Sequence, residues 1–224
     1  MSKRVRWLIA SPLSRASLAR IAEGLHRDEY EANATTGFIS SIVRTTFVEA
    51  RYIERFERAE SIIDPFGQPQ EFQRIEYQQT AFRLSVDAPQ LEIYDGPRSI
   101  GPLLNRLGSF TDTVIQPLNV DVVKWLRQLQ TEISETCVTA AHIARLSLSE
   151  KVSAKIVVNG TEDVRSFVKS VVGNKPFRFE RLEVAAKFKG ETIRFDLREE
   201  GRATISSGSD EFVSILRGAL TASL

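Results

Sequence analysis

The side chains of this 224-residue sequence that could perform chemistry form two small groups. Cys137 and His142 are five residues apart, between the end of a predicted helix and a predicted strand. A thiol beside an imidazole is the arrangement that nucleophilic catalysis uses. Glu183, Lys187 and Asp196 lie on the two strands of a predicted hairpin, and carboxylates beside a lysine are how metal-dependent nucleases hold Mg²⁺ and stabilise developing charge.

Both groups also have a structural explanation, which we favour. A small buried thiol accounts for Cys137, and cross-strand ion pairs on a solvated sheet face account for the hairpin residues. One cysteine and two histidines cannot build a Cys-rich zinc site, and the sequence has no glycine-rich phosphate-binding motif. We therefore predict no catalytic residue, no metal site and no cofactor, and keep a nuclease-like enzyme as a third hypothesis.

A basic segment at the N-terminus is the feature most suggestive of a ligand. Its first 27 residues contain a single acidic residue, Glu23. The basic residues there are Lys3, Arg4, Arg6, Arg15, Arg20 and Arg27. Lysine and arginine side chains that contact phosphates release counterions, which drives binding to nucleic acid. These six residues are the candidate nucleic-acid-binding set, and a solvated helix face is the alternative explanation.

A second group of arginines is interleaved with glutamates between residues 49 and 58. Its members are Glu49, Arg51, Glu54, Arg55, Glu57 and Arg58. Because the two signs alternate, their fields largely cancel, and the group predicts a solvated or partner-facing surface.

The overall composition is that of an ordinary globular protein. Lys and Arg number 30 against 29 Asp and Glu, and 42% of the residues are hydrophobic. This excludes wholesale disorder, and a net charge of +1 gives no global attraction to anionic partners. The single cysteine cannot form an internal disulfide, and no apolar run approaches the length of about 20 residues that spans a bilayer. We predict a cytoplasmic location without membrane contact.

The organising elements include one long predicted hairpin. Residues 37–60 are rich in β-formers, although from Val48 onward a helical face is also possible. We favour strand because Asp64-Pro65-Phe66-Gly67 is a turn sequence that would close a hairpin onto residues 71–86. A break in the second strand is expected near Gln78-Gln79, and Thr161 is the expected N-cap of a later helix.

The two halves of the chain have a similar predicted order of strands and helix. Residues 72–76, 82–84 and 93–96 match residues 179–183, 193–195 and 205–208 in residue type. The predicted fold class is α+β, with two similar halves, 1–115 and 116–224, each an antiparallel β-meander packed with helices. An internal duplication would explain the matches, and the ordinary pattern of half-buried strands is the alternative.

These observations favour a protein that acts by binding. The expected function is a non-enzymatic binding or adaptor subunit that docks on a protein partner or self-assembles, because long hairpin strands have edges that can pair with another chain. The alternative is a nucleic-acid-binding component that uses the N-terminal basic residues.

Overall fold

The computed structural model describes residues 2–207 and 209–224, with all their side chains except that of Ser40. The elements in chain order are β1 (Lys3–Ser11), α1 (Arg15–Arg27), β2 (Thr36–Val43), β3 (Phe47–Ile63), β4 (Pro69–Ser85), β5 (Leu91–Tyr94), α2 (Gly101–Gly108), β6 (Val114–Pro117), α3 (Val122–Glu132), β7 (Thr136–Ser149), β8 (Val152–Asn159), α4 (Arg165–Val172), β9 (Arg178–Phe188), β10 (Glu191–Arg198), β11 (Arg202–Ile205) and α5 (Asp210–Ser223). Strands make up about 47% of the chain, so the fold is α+β, as the sequence predicts.

The chain forms two compact units. The N-terminal unit is Ala10–Ile115, and the C-terminal unit combines the stretch ending at Ile9 with Gln116–Leu224. The start of the chain belongs to the C-terminal unit because β1 pairs with β11, with Val5 opposite Ala203.

The N-terminal unit is a four-stranded antiparallel sheet in the order β2-β3-β4-β5, packed against α1. Helix α1 begins where the Ser14 hydroxyl accepts a hydrogen bond from the Ser17 amide at 3.1 Å, which satisfies an amide that has no partner inside the helix. The buried side chains of α1 include Leu18, Ile21 and Leu25, and their three- to four-residue spacing forms one apolar stripe.

Gly24 of α1 allows a close approach that the unit requires. A Cβ atom at this position would lie 2.5 Å from the Phe110 ring, a distance that no packed side chain tolerates. The Phe110 ring in turn lies against Phe38, with ring centroids 5.8 Å apart.

The C-terminal unit is an antiparallel sheet in the order β1-β11-β10-β9-β7-β8. Helices α3 and α5 contact each other, and α3 also contacts β9 and β10. Both helices have side-chain caps: Asp121 accepts from the Val123 amide at 2.9 Å, and Ser209 accepts from the Phe212 amide at 3.2 Å. Ser209 is followed by Asp210 and Glu211 in the first turn, and a serine before acidic residues is typical of a helix start.

Two local predictions are wrong. Strand β4 is continuous through Gln78 and Gln79, because both residues stay paired with β3, Gln78 opposite Glu54 and Gln79 opposite Ile53. Thr161 does not cap α4, which begins at Arg165. Val164 occupies the N-cap position without a side-chain cap, and the carboxylate of the preceding residue, Asp163, accepts a hydrogen bond from the Arg165 amide at 3.0 Å.

The core of the C-terminal unit is organised around two tryptophans. Trp7 of β1 and Trp125 of α3 are fully buried and meet edge to face, with ring centroids 5.6 Å apart. The Trp125 indole N–H donates to the carbonyl oxygen of Leu216 at 3.0 Å. This contact ties α3 to α5 and satisfies a buried donor.

We expect Trp125→Ala to lower the free energy of unfolding by about 3–5 kcal/mol, because it leaves a large cavity. Trp125→Phe keeps most of the packing and should cost clearly less, mainly the indole hydrogen bond. Chemical denaturation of the two variants and the wild type measures both effects. Equal losses in the two variants would contradict the packing role.

Candidate functional site

The hairpin formed by β3 and β4 extends beyond the covered part of the N-terminal unit. Its 17-residue strands pair continuously from Phe47–Ser85 to Ile63–Pro69. Near the base, Tyr52 and Phe82 are each 2% exposed. Further out, the exposed large apolar side chains are Phe56, Ile62, Ile63, Phe66, Phe72, Ile75 and Tyr77. We call residues 55–77 of this hairpin the arm.

The arm closes in a loop that its sequence explains. The Asp64 carboxylate accepts hydrogen bonds from the amides of Phe66 at 2.9 Å and Gln68 at 2.8 Å. Gly67 has a φ of +83°, a conformation that glycine adopts without a Cβ penalty. This is the turn that the sequence predicts, and it sets the register of both strands.

Charged side chains on one face of the arm form a cross-strand network. Arg58 lies opposite Arg74 in the ladder, an unfavourable pair in isolation. Two glutamates relieve it: Arg74 is 3.3 Å from carboxylate oxygens of both Glu60 and Glu76, and Arg58 is 3.5 Å from Glu76. Of the mixed-charge group predicted from the sequence, Arg58 belongs to this network. Glu49 pairs across the hairpin with Arg83 at 3.2 Å, Arg55 pairs along its own strand with Glu57 at 2.8 Å, and Glu54 is buried.

The outer backbone edge of β4 is unpaired along the arm. Antiparallel strands bond through alternate residues on each side, and the Ser85 amide donates away from β3, to Gln90, at 2.8 Å. The odd-numbered residues of β4 therefore point their amides and carbonyls outward. Strand β5 pairs with β4 only from Ala81 to Leu84, and no other described strand pairs with residues 71–79.

Strand β3 has a shorter unpaired edge. The Arg55 amide donates to the carbonyl of Thr35 at 2.8 Å, so the edge is occupied up to this residue. Beyond it the outward-pointing residues of β3 are 57, 59, 61 and 63, compared with 71, 73, 75, 77 and 79 on β4.

Glu54 lies at the base of the arm and is 9% exposed. The side-chain amide of Gln78 donates a hydrogen bond to the Glu54 carboxylate at 3.4 Å. Burial raises the pKa of Glu54 above its ordinary value, because desolvation penalises the charged form.

We expect Glu54→Gln to stabilise the protein at pH 7. When the pKa of a carboxyl is higher in the folded than in the unfolded state, the folded protein loses stability as the pH rises through the interval between the two values. Glutamine does not ionise, so the variant does not have this loss. The melting temperature of the variant should exceed that of the wild type at pH 7, and the difference should shrink toward pH 4. A constant difference across this range would contradict the assignment.

The six basic residues predicted from the sequence are divided between the two units. Lys3, Arg4 and Arg6 lie on β1, and Lys3 forms an ion pair with Asp210. Arg15, Arg20 and Arg27 lie exposed on α1 of the N-terminal unit.

Four arginines of the C-terminal unit line up across adjacent strands. Arg6 of β1 lies opposite Arg202 of β11. Arg202 in turn lies opposite Arg198 of β10, and Arg198 lies opposite Arg181 of β9. We call these four residues the arginine row. Only Arg6 of these four belongs to the basic set predicted from the sequence. The alternation Arg194-x-Asp196-x-Arg198 was a signal for Arg198, but it does not identify the neighbouring strands.

Acidic residues beside the arginine row hold two of its members. Asp196 is 6% exposed and accepts from Arg198 Nε at 2.8 Å and from Arg181 Nη2 at 3.2 Å. Arg181 is also 3.0 Å from Glu183. The hydrogen bond to Asp196 raises the pKa of Arg198.

These contacts leave the candidate nuclease residues unsuited to hold a metal. Glu183 and Asp196 are cross-strand neighbours, but arginines occupy their carboxylates. Lys187 lies opposite Thr192 and pairs with Glu135 at 2.8 Å. No group of three or more His, Cys, Asp or Glu side chains in the described part of the chain is arranged to hold a metal ion.

The candidate nucleophile–base pair is also separated. Cys137 and His142 lie on the same strand, β7, and a strand rises about 3.3 Å per residue, so their backbones are roughly 16 Å apart. The imidazole Nε2 of His142 lies instead 3.4 Å from Glu183.

A surface pocket in each unit lacks such a constellation as well. In the N-terminal unit it is lined by Arg15, Leu18, Ala19, Val43, Arg44 and Thr45. In the C-terminal unit it is lined by Asn119, Val120, Asp121, Val123, Phe177, Arg178 and Phe179. Neither lining brings together a nucleophile and a base.

Comparisons with known proteins add no family assignment. No family model matches this chain, and a search of curated proteins finds no match. Across residues 2–207 and 209–224, no helix combines the length and apolar character needed to cross a membrane.

Proposed function

We propose that this protein is a non-enzymatic binding subunit that docks through the arm, and that its partner is a second copy of the chain. One observation carries the proposal: the unpaired β4 edge has a charge pattern that is complementary to itself. A single cysteine, Cys137, is free of any disulfide, which supports a cytoplasmic site of action.

The backbone of the β4 edge provides the affinity in this proposal. Unpaired strand edges add strands from other chains through main-chain hydrogen bonds. Two β4 edges related by a two-fold axis at Ile75 would pair antiparallel, and the five outward residues from Glu71 to Gln79 would contribute about ten such bonds.

The side chains provide the specificity. With the axis at Ile75, Arg74 of each copy lies opposite Glu76 of the other, and Gln73 lies opposite Tyr77. Ile75, which is 48% exposed, then packs against its own equivalent. No like charges face each other across the new pair, so both copies gain ion pairs and bury apolar surface.

Other registers are less favourable. An axis at Arg74 places two arginines opposite each other, and an axis at Glu76 places two glutamates opposite each other, which costs free energy. The alternating charges thus oppose association with an arbitrary strand while favouring one register, a common way of controlling sheet edges.

A finer proposal concerns the two similar halves, 1–115 and 116–224. The pairing of Phe82 with Ile93 in β4–β5 and of Phe195 with Ile205 in β10–β11 supports it, since a helix follows each pair. Superposing these two strand pairs aligns Phe82 with Phe195, whereas residue types alone align Phe82 with Ile193. Residues 72–76 lie on the same strand as Phe82, whereas residues 179–183 lie on a different strand from Phe195.

Complementary charge reversals test the self-association. Arg74→Glu presents carboxylates at both positions 74 and 76, and Glu76→Arg presents guanidinium groups at both. The dimer dissociation constant of each variant alone should be about tenfold higher than that of the wild type. Each variant should therefore be monomeric at concentrations where the wild type is still dimeric. An equimolar mixture should recover dimers, because every opposed pair is then of opposite sign.

Analytical ultracentrifugation of the two variants, their mixture and the wild type measures these masses. A wild-type chain that remains monomeric at the highest soluble concentration would overturn the choice of a second copy as partner. Variants that dimerise like the wild type would overturn the register at Ile75.

Disulfide trapping tests the position of the axis. In a Cys137→Ser background, Ile75→Cys should form a disulfide-linked dimer on mild oxidation, because opposed residues in a bonded antiparallel pair have Cα atoms about 5.5 Å apart. Ala59→Cys, on the outer edge of β3, is the matched control and should remain monomeric on non-reducing gels. Trapping at Ala59 in place of Ile75 would assign docking to the other edge of the arm.

A further inference from the structure

The arginine row has an arrangement that is costly for a sheet by itself. Its members oppose one another as Arg6–Arg202, Arg202–Arg198 and Arg198–Arg181. Like charges directly opposite in neighbouring strands destabilise a sheet. In the arm, by contrast, the opposed arginines Arg58 and Arg74 are each paired with a glutamate of the facing strand.

The guanidinium groups of the row also have unused hydrogen-bonding capacity. The Nε–H groups of Arg6 and Arg181 are buried and find no hydrogen-bond partner among the described residues. Burial and the neighbouring Arg202 lower the pKa of Arg6, because both disfavour its charged form. An anion placed over the row would relieve these costs.

The carboxylates near the row orient it without neutralising it. Asp196 and Glu183 occupy the next register position and contact Arg181 and Arg198 from one side. Glu200 lies 3.2 Å from Arg202. The same face includes a further arginine, Arg194 opposite Ala185, so arginines exceed these carboxylates.

The face is accessible within its own unit. The side chains of Arg181, Arg198 and Arg202 are 29%, 37% and 38% exposed. The alternate residues of β10, Phe195 and Leu197, are buried, and Phe195 packs against Phe212 of α5. Helix α5 therefore covers the opposite face of this sheet.

We infer that the arginine row is a binding site for the phosphate backbone of a nucleic acid. The row crosses four strands, each about 4.8 Å from the next, so it is about 14 Å long. A single small anion covers only part of that length, whereas successive phosphates of a nucleic-acid chain follow it. Guanidinium forks bind phosphate oxygens in pairs, and backbone contacts of this type bind without reading sequence.

This site differs from the basic set predicted from the sequence. It includes Arg6, and Arg4 lies at its margin, but the three arginines of α1 belong to the other unit. It is also independent of the arm, which lies in the N-terminal unit.

Fluorescence anisotropy with a labelled 20-nucleotide single strand and the corresponding duplex tests the site. The row variant carries Arg6→Gln, Arg198→Gln and Arg202→Gln. The matched control carries Arg15→Gln, Arg20→Gln and Arg27→Gln on α1, which removes the same charge from the other unit. The row variant should bind about tenfold to a hundredfold more weakly at low salt, and its log–log salt slope should fall by about 2. The control should stay within about threefold of the wild type.

Thermal melting followed by circular dichroism establishes that the variants are folded. A conservative variant with Arg198→Lys and Arg202→Lys keeps the charge but loses the fork, and should bind between the wild type and the row variant. Whichever probe, single strand or duplex, binds more tightly identifies the form of nucleic acid recognised.

Three results would overturn the inference. The first is no binding of either probe by the wild type at 50 mM salt. The second is an equal loss in the row variant and the α1 control, which would assign binding to net charge. The third is capture by heparin with no competition from nucleic acid, which would assign the row to another polyanion.

Discussion

The alternation of side chains between the two faces of an antiparallel strand governs both surfaces of interest in this protein. In a sheet with helices on one face, every second residue is buried and the others are solvated. In β10, Phe195 and Leu197 are buried, and Arg194 and Arg198, which alternate with them, are not. Apart from Asp196, which is buried between these arginines, the outward residues of β10 are not constrained by packing in the core, and a binding surface can be placed there without altering it.

The arm results from the same alternation where no helix is present. Helix α1 supplies apolar side chains to the base of the β3–β4 hairpin, and Tyr52 is buried there. Past Glu54 the strands continue with the pairing intact, but the side chains on both faces are exposed. Backbone hydrogen bonds and cross-strand ion pairs then hold the hairpin together, and the outer edge stays available to another strand.

The two proposed surfaces use arginine in opposite ways. In the arm, Arg58 and Arg74 meet glutamates from the facing strand, so the charges are satisfied within the molecule and can be exchanged for equivalent pairs with a partner. In the arginine row, four guanidinium groups oppose one another, and Asp196 fixes two of them from the side. The first arrangement favours a protein strand of matched charge, and the second favours an extended anion.

Local sequence determined the elements of this protein to a large extent, because turns and caps are local interactions. Residue types and short spacings account for the hairpin turn at Asp64–Gly67, the Ser209 cap and the β9–β10 hairpin. The sequence also indicated the α+β class and the mixed charge of the arm. It did not reveal the arginine row, whose members are up to 196 positions apart, from Arg6 to Arg202. Only the tertiary structure decided which strands became neighbours, because cross-strand register depends on packing between distant segments, which periodicity within one segment does not encode.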